Sequence, residues 1–470
     1  MIFSSIIFLF AFFPIFFLIL YWIPTQKIRW QNIWILLASL FFYAWGAGKF
    51  FFIVIGTLVV DYILGGWIIK KRKYTKLFVA LDVMMNIAIL IYFKYFNFFL
   101  DNTNAIIAGL GKQPLSFTRV ALPLGVSFVI FQKMTYCMDI ARGSTPPAKN
   151  YFEVLEYLLL FPQVIAGPIV KYNEVSNELK YRSITKEMFL TGFRRFAIGL
   201  FKKVHIADVL AQTADTVFAA QAVSRIPFDY AWIGILAYTF QIYFDFSAYS
   251  DMAIGMLAMM GFHIPENFNH PYTAQSISDF WKRWHISMTS WFREYLYFPL
   301  GGNRKGLLRT YLNQWIVFLL SGFWHGASWN FIVWGAYNGT LLCIERMIFR
   351  KRKIPILSAF LKWGGTFFLV IIGWVFFRAD NLKLAFSYIG NLFDFSSYFV
   401  HVPPEYILTI DLYGWLAFIL AVGISFCRIK KTCRMPNIQY IRDIGVLLLF
   451  YISALKIITG SISPFIYFRF

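Results

Sequence analysis

Asp279 to Trp329 reads DFWKRWHISMTSWFREYLYFPLGGNRKGLLRTYLNQWIVFLLSGFWHGASW. Its two histidines, His285 and His325, decide how the rest of the chain is read. His285 closes Trp281-Lys282-Arg283-Trp284-His285. His325 follows an almost purely apolar run and lies among small residues, in Ser321-Gly322-Phe323-Trp324-His325-Gly326-Ala327-Ser328. An ionisable ring at membrane depth is costly, so an imidazole there marks a functional site. The plainer alternative is a histidine that only hydrogen-bonds neighbouring helices.

The surrounding composition makes membrane depth the right frame. The chain is 59% hydrophobic and 14% charged, against about 25% charged in soluble domains. Long apolar runs, not short alternating ones, point to an all-α polytopic membrane protein and away from a β-barrel. The formal net charge is +21. Its cations cluster at the ends of apolar runs, as the positive-inside rule expects, so they imply topology and anionic lipid, with no nucleic acid. Cys137, Cys343, Cys427 and Cys433 have no metal-ligand spacing and imply no disulfide framework. No metal site is expected.

Apolar runs and terminal cations predict about 11 transmembrane helices plus re-entrant segments. The first, Ser4–Trp22, reads as a retained helix and not a signal peptide. Leu77–Phe99 is expected to end in a polar loop over Asp101–Lys112. Tyr151–Val170 holds Pro162, Gly167 and Pro168 between flanks that both look cytoplasmic. It reads as a re-entrant segment, with a kinked span as the alternative. Ile233–Met260 carries Asp245 and Asp251, at least one of which must pair with a cation or face water. His263 and His270 read as loop residues. Asp380–Ile410 reads as a long aromatic loop. The chain divides into N-terminal helices (1–150), a core (151–350) and C-terminal helices with an aromatic tail (351–470), all in a single transmembrane domain.

Tyr311–Glu345 is flanked by Arg304, Lys305 and Arg309 on one side and by Arg346 and Arg350–Lys353 on the other. It must therefore go in and come back, turning at Gly322–Ser328. Thirteen residues from Tyr311 to Phe323 span roughly 20 Å of helix. The hydrocarbon core is roughly 30 Å thick, which puts His325 inside it.

A buried neutral imidazole can take a proton from a hydroxyl, the step that acyl transfer to an alcohol requires. No G-x-S-x-G elbow, H-E-x-x-H or phosphate-binding glycine loop is present. A histidine base without a neighbouring protein nucleophile suits direct transfer from an activated thioester. Lys282, Arg283, Asn303, Arg304 and Lys305 offer a cationic, glycine-bearing surface for a donor's phosphates. A glycan or lipid transporter with gating histidines is the reading from another class.

Trp281–His285 and Gly322-Phe323-Trp324-His325-Gly326 resemble the membrane-bound O-acyltransferases. Phe161–Lys171 (FPQVIAGPIVK), Asp245–Ser250 (DFSAYS), Phe262–Tyr272 (FHIPENFNHPY), Tyr297–Gly306 (YFPLGGNRKG) and Trp374–Ala379 (WVFFRA) are similar to the bacterial alginate O-acetyltransferase type. The resemblance runs nearly end to end. It implies a helical ring around a central catalytic tunnel, with His325 catalytic and His285 as the second histidine. It implies acetyl transfer to an exported or cell-wall polysaccharide, with acetyl-CoA as donor. An acyl carrier protein serves the teichoic-acid D-alanyl relatives, which usually lack the YFPLGGNRKG stretch. The implied partners are an extracytoplasmic SGNH-hydrolase-like acetyltransferase and polysaccharide-synthesis machinery. The implied location is the bacterial inner membrane, multi-pass. Phe465–Phe470 resembles the aromatic-Tyr-aromatic-Arg end of a companion peptide of teichoic-acid D-alanylation. Tyr467 is then a candidate acyl relay, and an aromatic interface anchor is its alternative.

Overall fold

A computed structural model describes all residues except 124, 165–166, 352–358, 428–435, 461–464 and 467–470. Among the described residues every regular element is helical and no strand occurs. Among the described residues three stretches are long and apolar enough to cross a membrane: Phe50–Lys70, Arg72–Gly109 and Ala359–Arg378. Phe8–Trp22 and Leu412–Phe426 are apolar but shorter. The chain forms two compact units, one of Met1–Phe196 with Met252–Pro265, the other of Ala197–Asp251 with Glu266–Phe470.

The first unit holds α1 (Phe13–Trp22), α2 (Ile28–Ala47), α3 (Phe50–Lys70), α4 (Thr75–Leu90), α5 (Phe96–Gly109), α6 (Val126–Arg142) and α7 (Tyr151–Leu159). A π turn over Ile91–Tyr95 joins α4 to α5. Helix α5 therefore continues to Gly109, through the expected polar loop. Two of its polar side chains bond back to the preceding turn, Asn102 donating to Phe98 O at 2.7 Å and Thr103 to Phe99 O at 2.8 Å, while Asn104 reaches Leu115 and Asp101 pairs with Arg119 beyond the helix. Helices α3, α4 and α6 enclose buried polar groups. Lys133 Nζ lies 3.4 Å from Asp61 Oδ2 and donates to Thr57 Oγ1 at 2.6 Å. Helix α7 stops before Leu160, and one turn, Phe161–Val164, follows. That is the break the proline-bearing stretch foretells.

Two long helices contribute to both units. The first, α8 (Lys186–Phe201), leads through a π turn at Lys202–Ala207 into α9 (Asp208–Val223) of the second unit. The other is α10 (Phe228–Met259). The second unit adds α11 (Ile277–Arg283), α12 (Ile286–Phe292), α13 (Leu307–His325), α14 (Trp329–Lys351) and α15 (Ala359–Arg378). It closes with α16 (Leu382–Asn391), α17 (Leu412–Phe426) and α18 (Pro436–Thr459). Helix α16 interrupts the expected Asp380–Ile410 loop. Asn381 caps it, its side chain accepting from Leu384 N at 2.9 Å.

Helices α13 and α14 form the expected hairpin, with the turn at residues 326–328. Helix α13 starts at Leu307, not Tyr311, and has 19 residues, or about 28 Å. That nearly matches the hydrocarbon thickness, so length alone does not set His325 at mid-depth. The two helices touch through glycines. A Cβ on Gly322 would fall 2.2 Å from Phe331 O, and one on Gly335 would fall 2.3 Å from Phe318 O. Such overpacking has no flexible neighbour to yield. Gly335→Leu is therefore expected to destabilise the fold by about 2 kcal/mol or more, read as a lowered thermal midpoint in detergent. An unchanged midpoint would contradict the hairpin packing.

Candidate active site

His285 owes its place to a sharp turn. Ser276 caps α11 by accepting from Asp279 N at 3.0 Å, and α11 ends at Arg283. His285 then takes a left-handed backbone, φ +44°, before α12 begins. A positive φ outside glycine is uncommon and costs about 1–3 kcal/mol. Here the neighbours hold it. Ile286 N donates to Asn267 O at 2.9 Å, and Trp284 N to Phe280 O at 2.9 Å.

The His285 ring is fully buried. Its Nδ1 lies 3.1 Å from Asn267 Oδ1. The same oxygen accepts from Ser287 N at 3.2 Å and Ser287 Oγ at 2.9 Å, while Asn267 Nδ2 donates to Ser250 Oγ at 3.2 Å. Asn267 thus presents its carbonyl to the ring. Nδ1 carries the proton, and Nε2 carries the lone pair. Phe246 packs edge-on against the ring at 4.6 Å.

His325 is the last residue of α13 and is also buried. Its cage is aromatic: Trp324 at 4.8 Å, Trp334 at 5.1 Å and Phe377 at 5.1 Å between ring centroids. Trp334 and Trp374 stack behind it at 6.4 Å. The WVFFRA stretch thereby finds its role. Trp374 and Phe377 line the cage, and Arg378 pairs with Asp215 at 2.6 Å. Asn330 Nδ2 ties the start of α14 to Ala379 O. Trp324 also lies 6.5 Å from the His285 ring. Both histidines therefore sit against one indole.

The expected donor residues are not gathered in the same way. Lys282 is exposed, and Arg283 pairs with Asp279 at 2.8 Å on the same helix. Asn303, Arg304 and Lys305 are exposed on a turn before α13. In that turn Gly302 N donates to Tyr297 O at 2.9 Å, and Asn313 Nδ2 donates to Gly302 O at 2.9 Å. Tyr467 lies outside the described residues. Asp245 and Asp251 both find cations, at Lys203 and Lys202, each at 2.7 Å. Sequence reasoning gave Asn267 no role of its own. Its one signal was its place inside FHIPENFNHPY.

The geometry is that of two buried imidazoles in an aromatic, apolar surround. A model of the membrane-bound O-acyltransferase family matches residues 119–385. The chain belongs to the membrane-bound O-acyltransferase family. It is an acyltransferase, and a membrane protein like other members. It is 41% identical, over the full length of both chains, to the protein of Pseudomonas putida named probable alginate O-acetylase. It is 35% identical to the peptidoglycan O-acetyltransferase of Helicobacter pylori, over 100% of this chain and 98% of that one. The teichoic acid D-alanyltransferase of Bacillus subtilis is more distant: 28% identical over 47% of this chain and 58% of its own. The acyltransferase thus groups with the alginate O-acetylase-like members.

If Asn267 orients His285, removing its side chain strips polar partners from a buried site. Asn267→Ala is expected to cost about 1–3 kcal/mol of stability and to lower turnover, while Asn267→Gln recovers neither fully. Thermal unfolding and acyl-transfer rates on the same preparation check this. Wild-type values for Asn267→Ala would contradict the role.

Proposed function

We propose that this acyltransferase moves an acetyl group from a cytoplasmic thioester to an exported or cell-wall polysaccharide. One observation carries the reading: two buried histidines against a shared indole, in a chain that aligns end to end with relatives named for alginate and peptidoglycan O-acetylation. Acetyl-CoA is the donor. Lys282, Arg283, Asn303, Arg304 and Lys305 receive its phosphates at the cytoplasmic surface. The hydroxyl oxygen of the relay residue, Tyr467, attacks the thioester carbonyl, and His325 takes the hydroxyl proton as general base. The carbon–sulfur bond breaks, and the leaving thiolate takes the proton from the His325 imidazolium. His285 is the second histidine of the site.

In this reading about 11 helices and re-entrant segments surround a tunnel through the bacterial inner membrane, open to donor and acceptor from opposite faces. An extracytoplasmic SGNH-hydrolase-like acetyltransferase and the polymer-synthesis machinery pass the group on, and Tyr467 relays it. The D-alanyl alternative finds support in the teichoic-acid relatives, which align over only half of the chain.

His325→Ala is expected to reduce acetyl groups on surface polymer by at least about 100-fold while polymer export continues. Export lost together with acetylation would contradict the reading, as would acetylation retained. Tyr467→Phe is expected to abolish polymer acetylation while the chain is still made. Full acetylation in that variant would remove the relay.

A further inference from the structure

The π turn at Lys202–Ala207 puts two successive lysines to separate uses. Such turns recur at functional sites. Lys202 Nζ pairs with Asp251 at 2.7 Å, part-way to solvent. Lys203 Nζ is buried and reaches two carboxylates, Asp245 Oδ1 at 2.7 Å and Asp208 Oδ1 at 2.8 Å. Burying these ions is expensive, and an apolar trio would pack there at no such cost. One oxygen of Asp245 offsets the Lys203 charge, which leaves the other for a further partner.

The second oxygen of Asp245 has a specific use. Asp245 Oδ2 accepts from the main-chain N–H of Ile466 at 2.7 Å. A carboxylate acceptor makes this bond about twice as strong as a neutral one. Phe465, next to it, is wholly buried. Its ring lies 4.6 Å from Tyr249 and 6.0 Å from Phe246. Phe246 is the ring that packs edge-on against His285 at 4.6 Å. The segment is thus seated one aromatic ring away from the second histidine, held by an ion pair at one end and a hydrophobic socket at the other.

We propose that Asp245, held by Lys203, is the positioning residue that latches the Phe465–Ile466 segment against Phe246, and that acyl transfer requires this latch. The claim deepens the acetyl-transfer reading and rests on it for its second half. The latch grips main chain, so a residue that fits the buried place of the Ile466 side chain keeps it. Proline alone removes the donor. The Lys203–Asp245 ion pair itself is untouched by changes at 466.

The test uses the full-length chain in detergent, with acetyl-CoA, a polysaccharide acceptor and the extracytoplasmic acetyltransferase partner of the proposed function. Hydrogen–deuterium exchange reads docking in the peptide that contains residue 465, with α13 as the internal fold control. Steady-state kinetics read function. Ile466→Pro is expected to speed exchange at that peptide and to lower kcat by about tenfold or more, as loss of a hydrogen bond to a charged group implies. KM for acetyl-CoA is expected to stay unchanged, because the donor surface is elsewhere. Ile466→Val, which keeps the N–H, is expected to match wild type in both. Phe465→Ala opens the other end of the latch and is expected to reproduce both effects. It decides the matter should Ile466→Pro disturb exchange in α13. Exchange in Ile466→Pro and Phe465→Ala no faster than in Ile466→Val would overturn the latch. Faster exchange with unchanged kcat would overturn its role in transfer. A wild-type chain that transfers no acetyl group would instead sink the acetyl-transfer reading, and the exchange arm would still decide the docking.

Discussion

An imidazole buried among hydrocarbon and indole rings keeps its lone pair only if it stays neutral and correctly turned. The second unit encloses two such rings. His285 is turned by Asn267 and enclosed by Phe246. His325 is held at a helix end by Trp324, Trp334 and Phe377. Trp324 links the two. Water is the natural competitor for an activated acyl group, and an aromatic wall excludes it.

The same logic explains why the supporting elements are bent and broken. A straight span cannot bring a ring from α13 and a ring from the α11–α12 turn to one indole. The chain uses a hairpin with glycine contacts, a left-handed histidine and two seven-residue helices instead. Irregular backbone in an apolar surround is tolerated only where other protein covers it. The buried ion pairs follow the same rule. Lys133 meets Asp61 in one unit, and Lys203 meets Asp245 and Asp208 in the other.

Much of this was legible from residues alone. The hairpin followed from cations at both ends of one apolar run, and the helix break at Leu160 from its prolines. Asp245 and Asp251 announced partners because carboxylates in an apolar helix need them. Other features left no such mark. Helix α5 runs through Asn102 and Thr103 because their side chains bond back to the preceding turn, which composition disguises as a loop. Asn267 holds His285 from 18 residues away, a pairing that spacing does not reveal. Ile466 meets Asp245 across 221 positions through a main-chain atom, and no side-chain pattern encodes that.

The central claim is that His325 is the ring where thioester and alcohol meet. The most direct measurement is an experimental structure of the full-length chain with a non-hydrolysable acetyl-CoA analogue. The account predicts the carbonyl carbon near His325, close enough for a hydroxyl to lie about 3 Å from both a ring nitrogen and that carbon. An analogue seated elsewhere, with His325 sealed from it by unmoved aromatic packing, would contradict it.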